Sequence, residues 1–298
     1  MPGPFDIEDT RAYRRWREEK LRNYPEHLED LLVDLQDPRQ LKPNERAALL
    51  QRCARANMAL YRSPTADIED KDIARLLGRQ LGLEHLDGNY LADDDGISSI
   101  TPGAGVRGEF IPYTERAIGW HTDGYYNRQA RRIRAMTLHC VRAALEGGES
   151  ALLDHELAYI QLRDEDPAHV RALSAPDALT IPPRLEGETV ARPAETGPVF
   201  SVDEPEGVLH MRYTARGVNI AWKDDATTRA AREALDRILV GSAYVLRLRL
   251  EPGMGVVCNN VLHARSAFRD APEHRRLLYR ARFYDRVAVK VASKAAAH

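Results

Sequence analysis

Ile118-Gly119-Trp120-His121-Thr122-Asp123-Gly124-Tyr125-Tyr126 is the stretch on which the reading of this chain turns. Alternate residues of a β-strand point to one face, so an extended backbone here lets His121 and Asp123 reach the same metal ion. A lone histidine far downstream, His263, stands in a second strand-like stretch, Cys258-Asn259-Asn260-Val261-Leu262-His263-Ala264-Arg265. Two imidazoles and one carboxylate on one face of an octahedron are the donor set of non-haem Fe(II) oxygenases, with positions left open for a co-substrate and O2. The tripeptide alone is a weak signal, because the chain contains another copy, His85-Leu86-Asp87. That copy follows a helical pattern and leads into Gly88-Asn89-Tyr90, which suits a turn or surface role. The aromatic, strongly β-patterned setting of residues 118–141 is what distinguishes the first copy.

Working outward, the β texture continues in Ile133–Val141 and in Ala243-Tyr244-Val245-Leu246-Arg247-Leu248-Arg249-Leu250. Glu251-Pro252-Gly253-Met254-Gly255 reads as a turn into Val256-Val257-Cys258. In Arg275–Tyr284, a strand would put Arg276, Leu278, Arg280 and Arg282 on one face and Leu277, Tyr279, Ala281 and Phe283 on the core face. A guanidinium is the bidentate, always-charged fork for a carboxylate, so an arginine of the first face lying beside a metal would anchor a dicarboxylate co-substrate. Upstream, residues 8–82 read mainly helical. Lys42-Pro43-Asn44-Glu45 starts one helix, and Ile73, Leu76, Leu77 and Leu81 mark another. Residues 223–239 predict a further helix with Ala231, Leu235, Ile238 and Leu239 on one side. Residues 174–207 hold six prolines and no clear period, as a lid-like or disordered loop would. Lys294–His298 reads as a frayed tail. The order of elements favours one α+β domain built on a β-barrel or sandwich.

Composition narrows the function classes. With 298 residues, 43% hydrophobic and 30% charged, the chain suits one large domain with a full core. A net charge of −2 makes no case for nucleic acid or an anionic membrane. Three widely spaced cysteines fit a reducing compartment, and neither a signal peptide nor a membrane-length apolar run is present. The expectation is a cytoplasmic protein acting on a small molecule, with no nucleic-acid or membrane partner.

Read in order, Trp120-His121-Thr122-Asp123, Gly147-Gly148-Glu149-Ser150, Pro198-Val199-Phe200, Leu262-His263-Ala264-Arg265 and Arg275-Arg276-Leu277-Leu278-Tyr279-Arg280-Ala281 resemble the taurine dioxygenase-like group of Fe(II)/2-oxoglutarate-dependent oxygenases. The resemblance covers over half the chain and implies a double-stranded β-helix (jelly-roll, cupin-like) core with flanking helices. In these terms residues 1–298 are a single oxygenase domain: an N-terminal helical flank over 1–90, and a jelly-roll over 95–290 with an insert at about 174–240. It implies that His121, Asp123 and His263 bind Fe(II). It also implies that Arg276, thirteen residues beyond His263, and Ser150 hold the far carboxylate of 2-oxoglutarate. Arg280 matches the position that binds the substrate's anion in taurine dioxygenase. Similar enzymes are often dimers or tetramers, so a homo-oligomer is compatible with the resemblance. The chain departs from the family at Thr196-Gly197-Pro198, where His-Pro is frequent, and at Cys258-Asn259-Asn260, where an aspartate or tryptophan is frequent. These differences bear on the substrate.

The implied reaction hydroxylates, or oxidatively cleaves, a small polar anionic or zwitterionic metabolite, with 2-oxoglutarate decarboxylated to succinate and CO2. Asp123 favours hydroxylation over halogenation, since a small residue there would admit halide. Tyr125, Asn127 and Arg212 are candidates for orienting substrate. Tyr125 and Tyr126 serve equally well as core, and Arg212 as a surface group. Arg128, Arg131, Arg132 and Arg134 read as a solvated rim that could also attract an acidic substrate, and His139 and His155 as structural. Two other readings use the same residues: a cupin-like metalloprotein without 2-oxoglutarate chemistry, and a non-enzymatic jelly-roll interaction module.

Overall fold

The computed structural model describes residues 3–288 apart from 23, 89–92, 94, 104–107, 109, 205 and 217–219; the expected tail at Lys294–His298 lies outside the described residues. Two sheets carry the site. The larger has the order Leu32–Asp34, Met58–Arg62, Met254–Cys258, Ala135–Arg142, Leu277–Phe283, Ser98–Ile100, antiparallel except for its first pair. The smaller, wholly antiparallel, has the order Leu246–Leu248, Ser150–Leu153, Leu262–Arg265, Ile118–His121. The chain passes repeatedly between the sheets, so His121 and His263 come from strands far apart in sequence.

Side-chain alternation explains why the larger sheet is covered on both faces. Met58, Leu60, Met136, Cys140, Val256, Cys258 and Leu278 join a core shared with the smaller sheet and with helices His155–Glu165, Pro167–Leu173 and Ala226–Gly241. Ala59, Tyr61, Ala135, Val141, Val257, Leu277, Tyr279, Ala281 and Phe283 join a second core, under helices Pro43–Ala56 and Asp72–Gln80. The expected faces of the last strand are therefore observed, and each large side chain sealed there contributes roughly 1.5–3 kcal/mol of transfer free energy. Gly78 lets its helix approach closely, since a Cβ there would sit 2.5 Å from the Phe283 ring.

Local signals placed several elements well. Pro43 opens its helix, with the Glu45 carboxylate accepting the Lys42 amide at 2.8 Å, and Asn57 closes it at φ +56°. Helix Ala226–Gly241 starts on Asp225, which accepts the Thr228 amide at 2.7 Å, and it buries Ala231, Leu235, Ile238 and Leu239 as its period predicts. His139, bonded through Nδ1 to the Tyr61 hydroxyl, and His155, bonded through Nε2 to the Leu209 carbonyl, are buried structural groups.

Two expectations need correction. The flank over residues 8–82 also contains strands Leu32–Asp34 and Met58–Arg62, which extend the larger sheet. Met58–Tyr61 is buried on both faces, so no polar alternation marks it as a strand. The segment 174–207 is not a structureless loop. It forms hairpin Arg184–Glu186/Thr189–Arg192, hairpin Phe200–Asp203/Val208–Met211, and a small sheet of Glu195–Gly197, Leu179–Ile181 and Ala221–Trp222. Prolines and turn glycines such as Gly187, at φ +62°, cut these strands too short for a period to show. Helices His155–Glu165 and Pro167–Leu173 were not anticipated either. The three cysteines are buried and unpaired, and no helix among the described residues is long and apolar enough to cross a membrane.

Candidate metal centre

Sheet register brings the two histidines together. His121 and His263 are direct cross-strand partners of antiparallel strands, with ring centroids 4.1 Å apart. His121 Nδ1 donates to the Gly119 carbonyl and His263 Nδ1 to the Val261 carbonyl, each at 2.9 Å. A carbonyl only accepts, so the proton sits on Nδ1 and Nε2 of each ring is a free lone-pair donor.

Asp123 arrives by a different route from the one expected. The strand ends at His121, and Thr122 turns the chain by exchanging bonds with Tyr213: its amide donates to the Tyr213 carbonyl at 3.0 Å and its hydroxyl accepts the Tyr213 amide at 3.1 Å. Gly124 follows at φ +66°, and a Cβ on it would meet Ile133 at 2.5 Å. Asn260, itself at φ +51°, holds the Asp123 backbone from both sides. Its Oδ1 accepts the Asp123 amide at 2.7 Å and its Nδ2 donates to the Asp123 carbonyl at 2.9 Å. Sequence reasoning passed over Asn260 as a mere family departure; the available signal was an asparagine suited to a left-handed turn three residues before the distal histidine.

The donor atoms of His121, Asp123 and His263 all lie within 4.8 Å of one another. Burial, with the facing His263, pushes the His121 pKa down to about 3, and burial likewise lowers that of His263 against the pull of Asp123. Burial alone would raise the Asp123 pKa, yet the guanidiniums of Arg280 and Arg282 outweigh it and hold the carboxyl well below the usual range. Arg280 donates to Asp123 Oδ1 at 3.1 Å, whereas Asp123 Oδ2 is buried with no hydrogen-bond partner among the described residues. Two neutral imidazoles, an ionised carboxylate and one orphaned carboxylate oxygen fit a divalent metal of the non-haem iron type.

Two pockets flank these residues. One, of about 650 Å³, is lined by His121, His263, Ser150, Arg276 and Arg280 together with apolar groups such as Leu152 and Leu278. Arg276 is buried, its pKa lowered by that burial to about 10, so it stays charged at neutral pH. No carboxylate among the described residues pairs with its guanidinium; it stacks on Phe268, 5.1 Å from the ring centre. Arg280 lines this same pocket but is already engaged by Asp123.

The other pocket, of about 440 Å³, is lined by Asp123, Tyr125, Asn127, Arg132, His210 and Arg212 among others. Arg212 is not a surface group: it is half-buried and bonds the carbonyls of Pro198, Tyr125, Glu195, Leu179 and Gly197. Nor are all the arginines of 128–134 a solvated rim. Arg132 and Arg134 both pair with the buried Asp203, because the hairpin Phe200–Asp203/Val208–Met211 packs over them. Asn127 Nδ2 donates to the Arg131 carbonyl at 2.9 Å, and the hydroxyls of Tyr125 and Tyr126 accept from Arg216 and Arg282. Ser201 and His210 were missed as pocket residues, since nothing local marks them, and Arg132 was noted only as one of a cluster that could attract an acidic substrate.

Comparison with known proteins places this architecture. Uridine-5'-phosphate dioxygenase of Amycolatopsis sp. is 36% identical over 168 residues, covering 54% of this chain and 59% of that protein. Uridine-5'-phosphate dioxygenase of Streptomyces sp. is 32% identical over 177 residues, covering 56% and 62%. The chain thus matches about three fifths of the length of these relatives. Asparagine oxygenase, solved with Fe(II), 2S,3S-3-hydroxyasparagine and succinate, superposes with a TM-score of 0.59 at 16% identity, covering 80% of this chain and 78% of that one. A putative alpha-ketoglutarate-dependent taurine dioxygenase from Burkholderia xenovorans does so at 0.57 and 16%, covering 87% and 88%. These likenesses show a shared fold of mixed helices and strands. The family model of the taurine catabolism dioxygenases matches residues 20–282, most of the chain. With the ordered motifs, the strand topology and this match in agreement, the chain belongs to the taurine catabolism dioxygenase TauD, TfdA family.

Proposed function

We propose that this chain is an Fe(II)/2-oxoglutarate-dependent dioxygenase that hydroxylates or oxidatively cleaves a small anionic metabolite, releasing succinate and CO2. Uridine-5'-phosphate, or a nucleotide like it, is the substrate we infer from the two curated relatives. The observation that carries the reading is a metal-ready donor set at the junction of two pockets, one of which holds a buried guanidinium with no carboxylate paired to it among the described residues. The passage of the chain between two sheets supports a double-stranded β-helix core over 95–290, with a helical flank over 1–90 and an insert at about 174–240, all one domain.

In this reading His121, Asp123 and His263 hold the iron, which with 2-oxoglutarate and O2 supplies the oxidising chemistry. The chain supplies the rest. Arg276 forks onto the far carboxylate of 2-oxoglutarate beside the Ser150 hydroxyl, and the apolar walls at Leu152 and Leu278 exclude water from the co-substrate. Arg280 keeps Asp123 ionised and aimed. The pocket on the Asp123 side, bordered by Tyr125, Asn127 and Arg212, receives the primary substrate.

Anaerobic titration of the Fe(II)-loaded protein with 2-oxoglutarate tests the co-substrate. The weak metal-to-ligand charge-transfer band is expected in wild type, and Arg276→Ala shifts its midpoint to higher concentration. Iron binding without a band overturns the reading in favour of a cupin-like metalloprotein. Succinate release that rises on adding uridine-5'-phosphate is the expected substrate result; no rise removes that nucleotide.

A further inference from the structure

This inference rests on the dioxygenase reading and names what recognises the anion of its substrate. A buried anion needs charged donors that are not already consumed by the protein. The pocket on the Asp123 side has two guanidiniums, those of Arg132 and Arg212. All three nitrogens of Arg212 are spent on backbone carbonyls. Arg280 lines the other pocket, where its Nη1 is bound to Asp123 and its Nε has no hydrogen-bond partner among the described residues.

Arg132 is different. Its Nε donates to the Gln129 carbonyl at 3.0 Å, and its Nη1 to the Ser201 hydroxyl at 3.1 Å and to Asp203. Nη2 has no partner among the described residues. The one carboxylate that faces it, Asp203, also takes Arg134 Nε at 2.6 Å, so two guanidiniums share a single buried acid and a net positive charge is left over. Ser201 and Asp203 stand two apart on strand Phe200–Asp203 and present one face to Arg132, while His210 is the cross-strand partner of Ser201. The Ser201 oxygen accepts from Arg132, which leaves its own proton free to be donated. A guanidinium N–H without a partner among the described residues and a free hydroxyl proton converge on one wall of a pocket that the acids Asp123 and Glu195 also line.

The geometry points to Arg132 and Ser201 as the pair that recognises the phosphate of a nucleoside monophosphate substrate, in place of the Arg280 site expected from the family resemblance. The alternative is that the Arg132–Asp203–Arg134 cluster only ties the hairpin to the sheet.

Calorimetric titration of the anaerobic Fe(II)- and 2-oxoglutarate-loaded protein separates the two, with uridine-5'-phosphate, uridine and inorganic phosphate as probes. Wild type is expected to bind the nucleotide at least tenfold more tightly than the nucleoside. Arg132→Gln removes that preference while uridine affinity and the charge-transfer band are kept. Ser201→Ala, which changes no charge, costs the nucleotide about threefold or more and decides the matter if Arg132→Gln fails to fold. Retention of the full preference in Ser201→Ala and in a folded Arg132→Gln overturns the assignment, and so does a wild type that binds nucleotide and nucleoside alike. A wild type without the charge-transfer band overturns the underlying dioxygenase reading instead, so the two failures are distinguishable.

Discussion

The two His-x-Asp copies have similar sequences and opposite fates. Both aspartates are buried against arginines of one strand face: Asp123 against Arg280, Asp87 against Arg282. The histidines differ. His85 is exposed and pairs with Asp285 at 2.8 Å, and that hydrogen bond raises its pKa. His121 is desolvated and faces another imidazole, so it stays neutral and keeps Nε2 free. A cross-strand histidine therefore completes the candidate donor set, and the tripeptide by itself does not.

The largest expected contrast comes from removing each histidine. His121→Ala should weaken Fe(II) binding more than about a hundredfold, because a facial triad has no donor to spare, and should abolish turnover. His85→Ala should leave both within about twofold, since an exposed ion pair contributes little. Metal titration and succinate release measure both, and a comparable loss in the two variants would break the comparison.

Asp87→Ala should leave Arg282 buried without its acid and destabilise the fold by about 3–5 kcal/mol in urea unfolding, while metal affinity stays within a few fold. A large metal defect with little loss of stability would instead make the His85-Leu86-Asp87 copy part of the site.

Protonation sharpens the difference further. Burial lowers the His139 pKa to about 4. The unfolded chain takes up that proton first, so stability falls as pH drops from about 6.5 to 4, by roughly 3 kcal/mol in total. His139→Gln should flatten this slope in pH-dependent unfolding. His85 pulls the other way: its stabilisation is present below its unfolded pKa and fades as pH rises through the raised folded one.

A smaller loss than that of a ligand is expected at Asn260. Asn260→Ala frees the Asp123 backbone and should weaken metal binding by about 10–100-fold with the ligand set intact, the usual scale for a group that orients a ligand. Asp87 needs no such brace, because its amide donates to the Arg282 carbonyl at 2.8 Å.

The sequence by itself determined the elements with long, regular periods and singled out the candidate donor residues. The two faces of Leu277–Phe283 and the helix ending at Gly241 were legible because period-two and period-3.6 burial leaves a trace in residue order, whereas His121, Asp123 and His263 stood out by residue type and setting. Tertiary structure alone decided how Asp123 is held, which arginines are spent and which pocket each residue lines. Asn260 reaches Asp123 across 137 residues, Arg132 reaches Asp203 across 71, and Arg212 reaches Tyr125 across 87. Such polar contacts are single, aperiodic and long-range. They exist only where packing has already excluded water, so no local pattern of residues announces them.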